Sequence, residues 1–112
     1  MTVRELAAME GFSLQAGNRA LDRDIGGIFC CDLLSIAMSK ASAGCAWVTV
    51  MGNVNAVAVA ALTELSCIVL AEGMPLDDMA RAKAHLEDIA VLSTTLPVFE
   101  AAKRIDRALG NA

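Results

Sequence analysis

From Cys45 to the end of the chain, short apolar runs alternate with longer segments of helical pattern, and this alternation limits the fold more than anything else. Cys45-Ala46-Trp47-Val48-Thr49-Val50, Cys67-Ile68-Val69-Leu70-Ala71 and Ile89-Ala90-Val91-Leu92 are brief, β-branched and continuously apolar, as strands buried on both faces must be. Between the first two, Asn53 or Asn55 caps a helix over about Val54 to Leu65, made almost wholly of small apolar residues. Pro75-Leu76-Asp77-Asp78 starts the next helix, with acids in its first turn and a polar interior from Met79 to Glu87. Ser93-Thr94-Thr95 then supplies a cap, Pro97 fits the first turn, and the final helix runs to Leu109 before Gly110. Parallel strands joined by helices form right-handed crossovers.

The first part of the chain is read on the same terms. Thr2-Val3-Arg4-Glu5 has the capping-box form, and a short helix follows with Leu6 and Met9, ended by Gly11. Phe12-Ser13-Leu14-Gln15-Ala16 alternates as a half-buried strand does, and Gly17-Asn18 turns it. Asn18 to Asp24 is charged and loop-like. Gly26-Gly27 marks a sharp change of direction before a strand from Ile28 to Leu33, and Leu34 to Ala43 forms a short helix ending at Gly44. Together these segments predict one domain over residues 1–112: a three-layer α/β unit with a mostly parallel central sheet of about five strands and helices on both faces.

Composition narrows the function classes. The chain is 56% hydrophobic but only 4% aromatic, so the excess is small aliphatic residues suited to close helix-on-sheet packing. No apolar run reaches the roughly 18–20 residues of a membrane-spanning helix. The first ten residues contain Arg4, Glu5 and Glu10 and lack the layout of a signal peptide, so a cytoplasmic location is expected. A net charge of −4 with scattered Lys and Arg argues against a phosphate-backbone surface for nucleic acid. Cys30, Cys31, Cys45 and Cys67 contain no Cys-x-x-Cys pair, and adjacent Cys30 and Cys31 point to opposite faces of a strand. They read as structural thiols, with neither a metal nor another cofactor expected.

Catalytic constellations are missing as well. There is no phosphate-cradling Gly-x-x-x-x-Gly-Lys-Ser/Thr and no Gly-x-Gly-x-x-Gly. The one histidine, His85, sits on the polar helix among Arg81, Lys83 and Glu87, where a surface position is expected and no nucleophile is paired with it. In an open parallel sheet, ligands bind beyond the carboxyl ends of the strands. Three such corners occur: Met51-Gly52-Asn53-Val54-Asn55, Glu72-Gly73-Met74 and Ser93-Thr94-Thr95. Gly52 permits close backbone approach, and Asn53, Ser93 and Thr94 offer hydrogen bonds, either to a ligand or to the helices they cap. Asp22, Asp24 and Asp32 offer a carboxylate cluster near the diglycine, with Arg23 as a salt-bridge partner for the first two.

Asp22-Arg23-Asp24-Ile25-Gly26-Gly27 resembles the Asp-Arg-Thr-Gly-Gly signature of the DRTGG domain family, with Asp24-Ile25 in place of the single Thr. Cys31-Asp32-Leu33-Leu34-Ser35 looks like that family's Asp-Leu-Leu-Ser element. Trp47-Val48-Thr49, Asn55 to Ala60, Ile68-Val69-Leu70 and Val91-Leu92-Ser93-Thr94 follow in the family's order, so the resemblance covers roughly Arg4 to Leu109. It implies an α/β unit like the N-terminal domain of HPr kinase/phosphorylase, which lies outside that enzyme's active site. It also implies the occurrence of such units beside CBS domains.

The expected function is therefore a non-catalytic regulatory or sensory module. It binds a small metabolite or nucleotide, or docks on a partner enzyme, and its apolar surface points to a homodimer. Candidate ligand-binding residues are Asp32, Ser35, Gly52, Asn53, Asn55, Ser93 and Thr94. The alternative is a redox accessory protein, hydrogenase-associated, carrying iron–sulfur or metal on its cysteines.

Overall fold

A computed structural model of the chain describes residues 1–110. Ten elements follow one another: α1 (Val3–Ala7), β1 (Ser13–Ala16), β2 (Gly27–Cys30), α2 (Leu34–Lys40), β3 (Cys45–Thr49), α3 (Val54–Leu62), β4 (Cys67–Leu70), α4 (Asp78–Glu87), β5 (Ala90–Ser93) and α5 (Val98–Ala108). The strands form one sheet in the order β1-β5-β4-β3-β2. β2, β3, β4 and β5 are parallel, and β1 alone runs antiparallel, along the outer edge of β5.

That order follows from the hand of the crossovers. Each parallel strand is laid beside the one before it in a constant direction, so right-handed connections put α2, α3 and α4 on the same face. The alternation of strand side chains divides the core accordingly. Trp47, Ile68, Leu70 and Val91 pack against Ala37 of α2, Ala56, Val57 and Ala60 of α3, and Ala80 and Ala84 of α4. Val48, Val69 and Leu92 face Val3 and Leu6 of α1 and Ala101 and Ile105 of α5. Helices thus cover both faces of a mostly parallel five-stranded sheet. Among the described residues no helix is long and apolar enough to cross a membrane.

Local signals explain most boundaries. The capping box at α1 is formed: Glu5 N donates to Thr2 Oγ1 at 3.2 Å and Thr2 N donates to Glu5 Oε1 at 2.9 Å. The Thr2 backbone N–H first, then the Thr2 hydroxyl at 3.2 Å, donate to the Glu5 carboxylate and lower its pKa from the ordinary value. Asn53 Oδ1 accepts from Ala56 N at 2.9 Å, and Asp77 Oδ1 from Ala80 N at 2.7 Å, capping α3 and α4. The cap expected from Ser93-Thr94-Thr95 does not form. Pro97 holds the N-cap position of α5 without a side-chain bond, and Thr94 Oγ1 instead accepts from Leu96 N at 3.2 Å, closing a turn two residues long.

The segment from Gly17 to Gly26 must carry the chain from β1 at one edge to β2 at the other. It crosses beneath the amino ends of the parallel strands and is tied down on the way. Arg23 Nη1 donates to Leu65 O at 3.1 Å, and Ser66 Oγ donates to Asp24 O at 2.5 Å. Val3 N, Arg4 N and Ile25 N bond Arg23 O, Leu21 O and Met1 O, so α1 and this segment are stitched together. Asp22 pairs with Arg4, at 3.1 Å, rather than with its neighbour Arg23. The Asp-Arg portion of the signature is therefore a strap across the floor of the sheet.

Gly26 and Gly27 do not make the sharp reversal expected of them. Neither has the left-handed backbone that demands glycine, and a Cβ on each would stand 3.9 Å from Gly44 O and 3.5 Å from Cys45 Sγ, ordinary contact distances. The chain enters β2 already extended, because Gly26 N is paired with Gly44 O at 2.9 Å. The strand is also shorter than Ile28 to Leu33. It ends at Cys30, after which Asp32 turns back towards β3.

Candidate functional site

The carboxyl ends of the parallel strands divide the expected site residues into two groups. Around the end of β3, Asp32 Oδ1 accepts from Thr49 Oγ1 at 2.8 Å and from Val50 N at 3.0 Å. It acts as a cap on the strand, satisfying an amide that has passed the last rung of the ladder. Gly52 stands against the backbone of Pro75, and its carbonyl accepts from Asp77 N at 3.0 Å. The close approach expected at Gly52 is real, but what approaches is the loop after β4. Asn53 is committed to its cap. Ser35 and Asn55 are exposed on α2 and α3, with no side-chain hydrogen bond among the described residues.

Asp32 is thus expected to matter for stability. Asp32→Ala leaves Thr49 Oγ1 and Val50 N without their acceptor, a loss of about 1–2 kcal/mol for hydrogen bonds to a partly solvated carboxylate. Asp32→Asn keeps one oxygen in place and should recover most of it. Urea melts of the two variants check this ordering; equal melts for Asp32→Ala and wild type would show that the cap does nothing.

The second group gathers at the end of β5 and lines a cleft of about 330 Å³. Its walls are Gly11, Ser13 and Gln15 from the β1 side, Gly73 to Leu76 from the loop after β4, and Ser93, Thr94 and Thr95. Both Ser93 and Thr94 are there, as expected from the strand-end rule. Ser13 and Gln15 are there because β1 runs antiparallel: its amino end lies beside the carboxyl end of β5, with Ser13 opposite Ser93. Gln15 is the extra residue of a bulge, since Leu14 pairs with Leu92 and Ala16 with Val91. Its Nε2 donates to Ser93 Oγ at 2.9 Å and to Ser13 Oγ at 3.3 Å, and the two hydroxyls lie 3.2 Å apart. The Arg81 guanidinium of α4 donates to the Gln15 carbonyl and holds the bulge in place.

The loop facing them is just as constrained. Glu72 and Gly73 both have positive φ, 61° and 68°, and Met74 N donates to Ala71 O at 3.1 Å, the geometry of a type I′ turn. Glu72 N and Gly73 N are bonded to Leu96 O and Thr94 O at 2.8 and 3.0 Å, so the two loops that wall the cleft brace each other. A non-glycine residue held left-handed at Glu72 is a strained choice, of the sort concentrated near binding sites.

The one histidine of the chain lies away from this cleft. His85 is exposed, and its Nδ1 accepts from Gly17 N at 3.4 Å at the opposite end of β1. Asp22, Asp24 and Asp32 do not cluster: the first pairs with Arg4, the second lies in the strap and the third caps β3. Among the described residues no three His, Cys, Asp or Glu side chains converge as a metal ion would require. The Cys67 thiol is fully buried and pushed up to about 12, and burial, then the Asp32 charge, raises Cys30 also. Thiols held protonated in this way are poor metal ligands.

A second depression, of about 530 Å³, lies at the amino ends of the strands, lined by Arg23, Asp24, Glu64, Ser66 and Glu87. Two of its polar side chains serve the strap, Arg23 through Leu65 O and Ser66 through Asp24 O, and Glu87 pairs with Lys83 at 3.3 Å.

No family model matches the sequence, and no curated protein matches it either. Among solved structures the chain is similar to the CBS and DRTGG domains of the regulatory region of Clostridium perfringens pyrophosphatase, determined with the activator diadenosine tetraphosphate. Identity is 11% and the TM-score 0.64, over 82% of this chain. The match spans 40% of the length of that regulatory region. At such identity the likeness speaks for the fold, and it agrees with what the Asp22-Arg23 and Gly26-Gly27 residues imply: the chain has a DRTGG-like fold.

Proposed function

We propose that this chain is a non-catalytic regulatory module that binds a small metabolite or nucleotide in the cleft at the end of β5 and signals its occupancy to a partner enzyme. One observation carries the reading: Ser13, Gln15, Ser93 and Thr94, from two strands distant in sequence, converge on a cleft whose other wall is a strained turn. Volume is consistent with a small ligand, since such sites begin at about 300 Å³. The solved relative is a regulatory region bound to a nucleotide activator, which favours nucleotides as the first probes. Among the described residues no nucleophile–base pair lines the cleft, which favours binding over turnover.

Calorimetric titration with adenine nucleotides and with acetyl phosphate tests the proposal. Binding by at least one of them is expected, weakened about tenfold (roughly 1.4 kcal/mol) in Gln15→Ala, which releases the Ser13 and Ser93 hydroxyls that Gln15 holds in place. No heat with any probe would remove the ligand from the account.

The module is further proposed to act as a homodimer. Leu62 on α3 and Met79 and Leu86 on α4 are each more than two-thirds exposed, at 71%, 72% and 79%, on neighbouring packed helices. Side chains of this size on one layer are the usual material of an interface. Light scattering at micromolar concentration should give twice the chain mass; a monomeric mass would contradict the dimer.

A further inference from the structure

The cleft at the end of β5 holds hydroxyl donors without acceptors, and a positive charge that makes no ion pair among the described residues borders it. Gln15 Nε2 contributes both its hydrogens to the oxygens of Ser13 and Ser93. Those two hydroxyls share a single bond between them, at 3.2 Å. Counting hydrogens, one seryl O–H is left without an acceptor. Thr95 lines the same cleft and its hydroxyl has no partner among the described residues. Among the described residues no carboxylate lines the cleft.

The charge comes from α5. Arg104 Nη1 lies 3.7 Å from where a Cβ on Gly11 would stand, and Gly11 is part of the cleft wall. Gly11 is left-handed, with φ +91°, so the wall there is bare backbone, and the Arg104 guanidinium borders that wall without itself lining the cleft. Arg104 is exposed and has no carboxylate partner among the described residues. Its neighbour Lys103, by contrast, is engaged with Glu100 at 3.4 Å and with the Phe99 ring at 5.3 Å. Glu10 and Glu72 stand next to lining glycines but make no ion pair with Arg104, so they leave its charge available.

We infer that the cleft recognises an anionic group, the phosphate or carboxylate of a small ligand, with Arg104 as its charge partner and the Ser13–Ser93 pair and Thr95 as donors. A planar guanidinium with free N–H groups suits two-point contact with such oxygens. The inference rests on the proposed ligand cleft and adds the chemical class of what enters it.

The test compares wild type, Arg104→Gln and Arg104→Lys, each titrated with ATP, inorganic pyrophosphate and uncharged adenosine. Because Arg104 is exposed, melting temperatures of the three proteins should agree, which separates loss of binding from loss of fold. ATP and pyrophosphate are expected to bind wild type and adenosine not to; Arg104→Gln should weaken both by about tenfold or more, and Arg104→Lys by less. Equal binding of adenosine and ATP, or ATP binding that Arg104→Gln leaves unchanged, would overturn the anion inference while the cleft itself stood. No binding by any of the three would overturn both.

Discussion

Alanine at Gly52 or Gly17 is expected to cost about 3 kcal/mol or more, and alanine at Gly26 nothing. At Gly52 a Cβ would overlap the carbonyl of Pro75 and press Leu70 Cδ1 at 3.3 Å. The loop cannot give way cheaply, because Asp77 N is bonded to Gly52 O and Gly73 N to Thr94 O. Gly17 adds a second difficulty. Its φ of +77° is strained for alanine, and its Cβ would meet the backbone of Ile89 and Ala90 where β5 begins. At Gly26 the only contact within reach is ordinary, and alanine there lowers the entropy of the unfolded chain, a gain of up to about 1 kcal/mol. Urea melts rank the three variants. Gly52→Ala melting with wild type, or Gly26→Ala losing more than Gly52→Ala, would contradict the packing described here. The glycines that resemble a family signature are thus the replaceable ones.

Stability should also fall in alkali through the buried thiols, Cys67 above all and Cys30 in the same direction. Burial holds the folded Cys67 thiol at about 12, against an ordinary value of 9.0. Below pH 9 the group is neutral in both states and stability does not depend on it. As pH rises from 9 the unfolded thiol ionises first and the folded one stays protonated, so the unfolded state binds fewer protons and stability declines towards pH 12. The full span corresponds to about 4 kcal/mol. Cys67→Ala should flatten that part of the profile relative to wild type, measured as urea midpoints from pH 8 to 11. A profile equally steep in the variant would place the alkaline loss elsewhere. The same burial bears on the redox alternative: the cysteine set on which a cluster would depend includes one member locked as a thiol inside the core.

How much of this was legible in the sequence follows from what each signal measures. Short apolar runs such as Cys67 to Ala71 name strands buried on both faces, because no other element is that brief and that apolar, and the βαβ order then fixes direction. Nothing in Phe12 to Ala16 fixes the direction or the neighbour of β1, since its alternation suits any edge strand. Ser13 and Gln15 were therefore invisible as cleft residues, although Ser93 and Thr94 were found by the strand-end rule. A bulge at Gln15 has no sequence mark either. Glycine was the least readable residue. A pair at Gly26-Gly27 looks like a turn but is paired to Gly44 and extended, whereas lone Gly17 and Gly52 are packed against distant backbone. Asp32 is a candidate ligand residue by its place at a strand end, and its two bonds close the end of β3. Polar residues near strand ends serve caps and ligands alike, and only the geometry distinguishes them.

Backbone amide shifts of isotope-labelled protein during an ATP titration measure directly where a ligand binds. Changes confined to Gly11, Ser13, Gln15, Gly73 and Ser93 to Thr95 are the predicted result. Shifts centred instead on Arg23, Ser66 and Glu64, at the opposite end of the sheet, would contradict it.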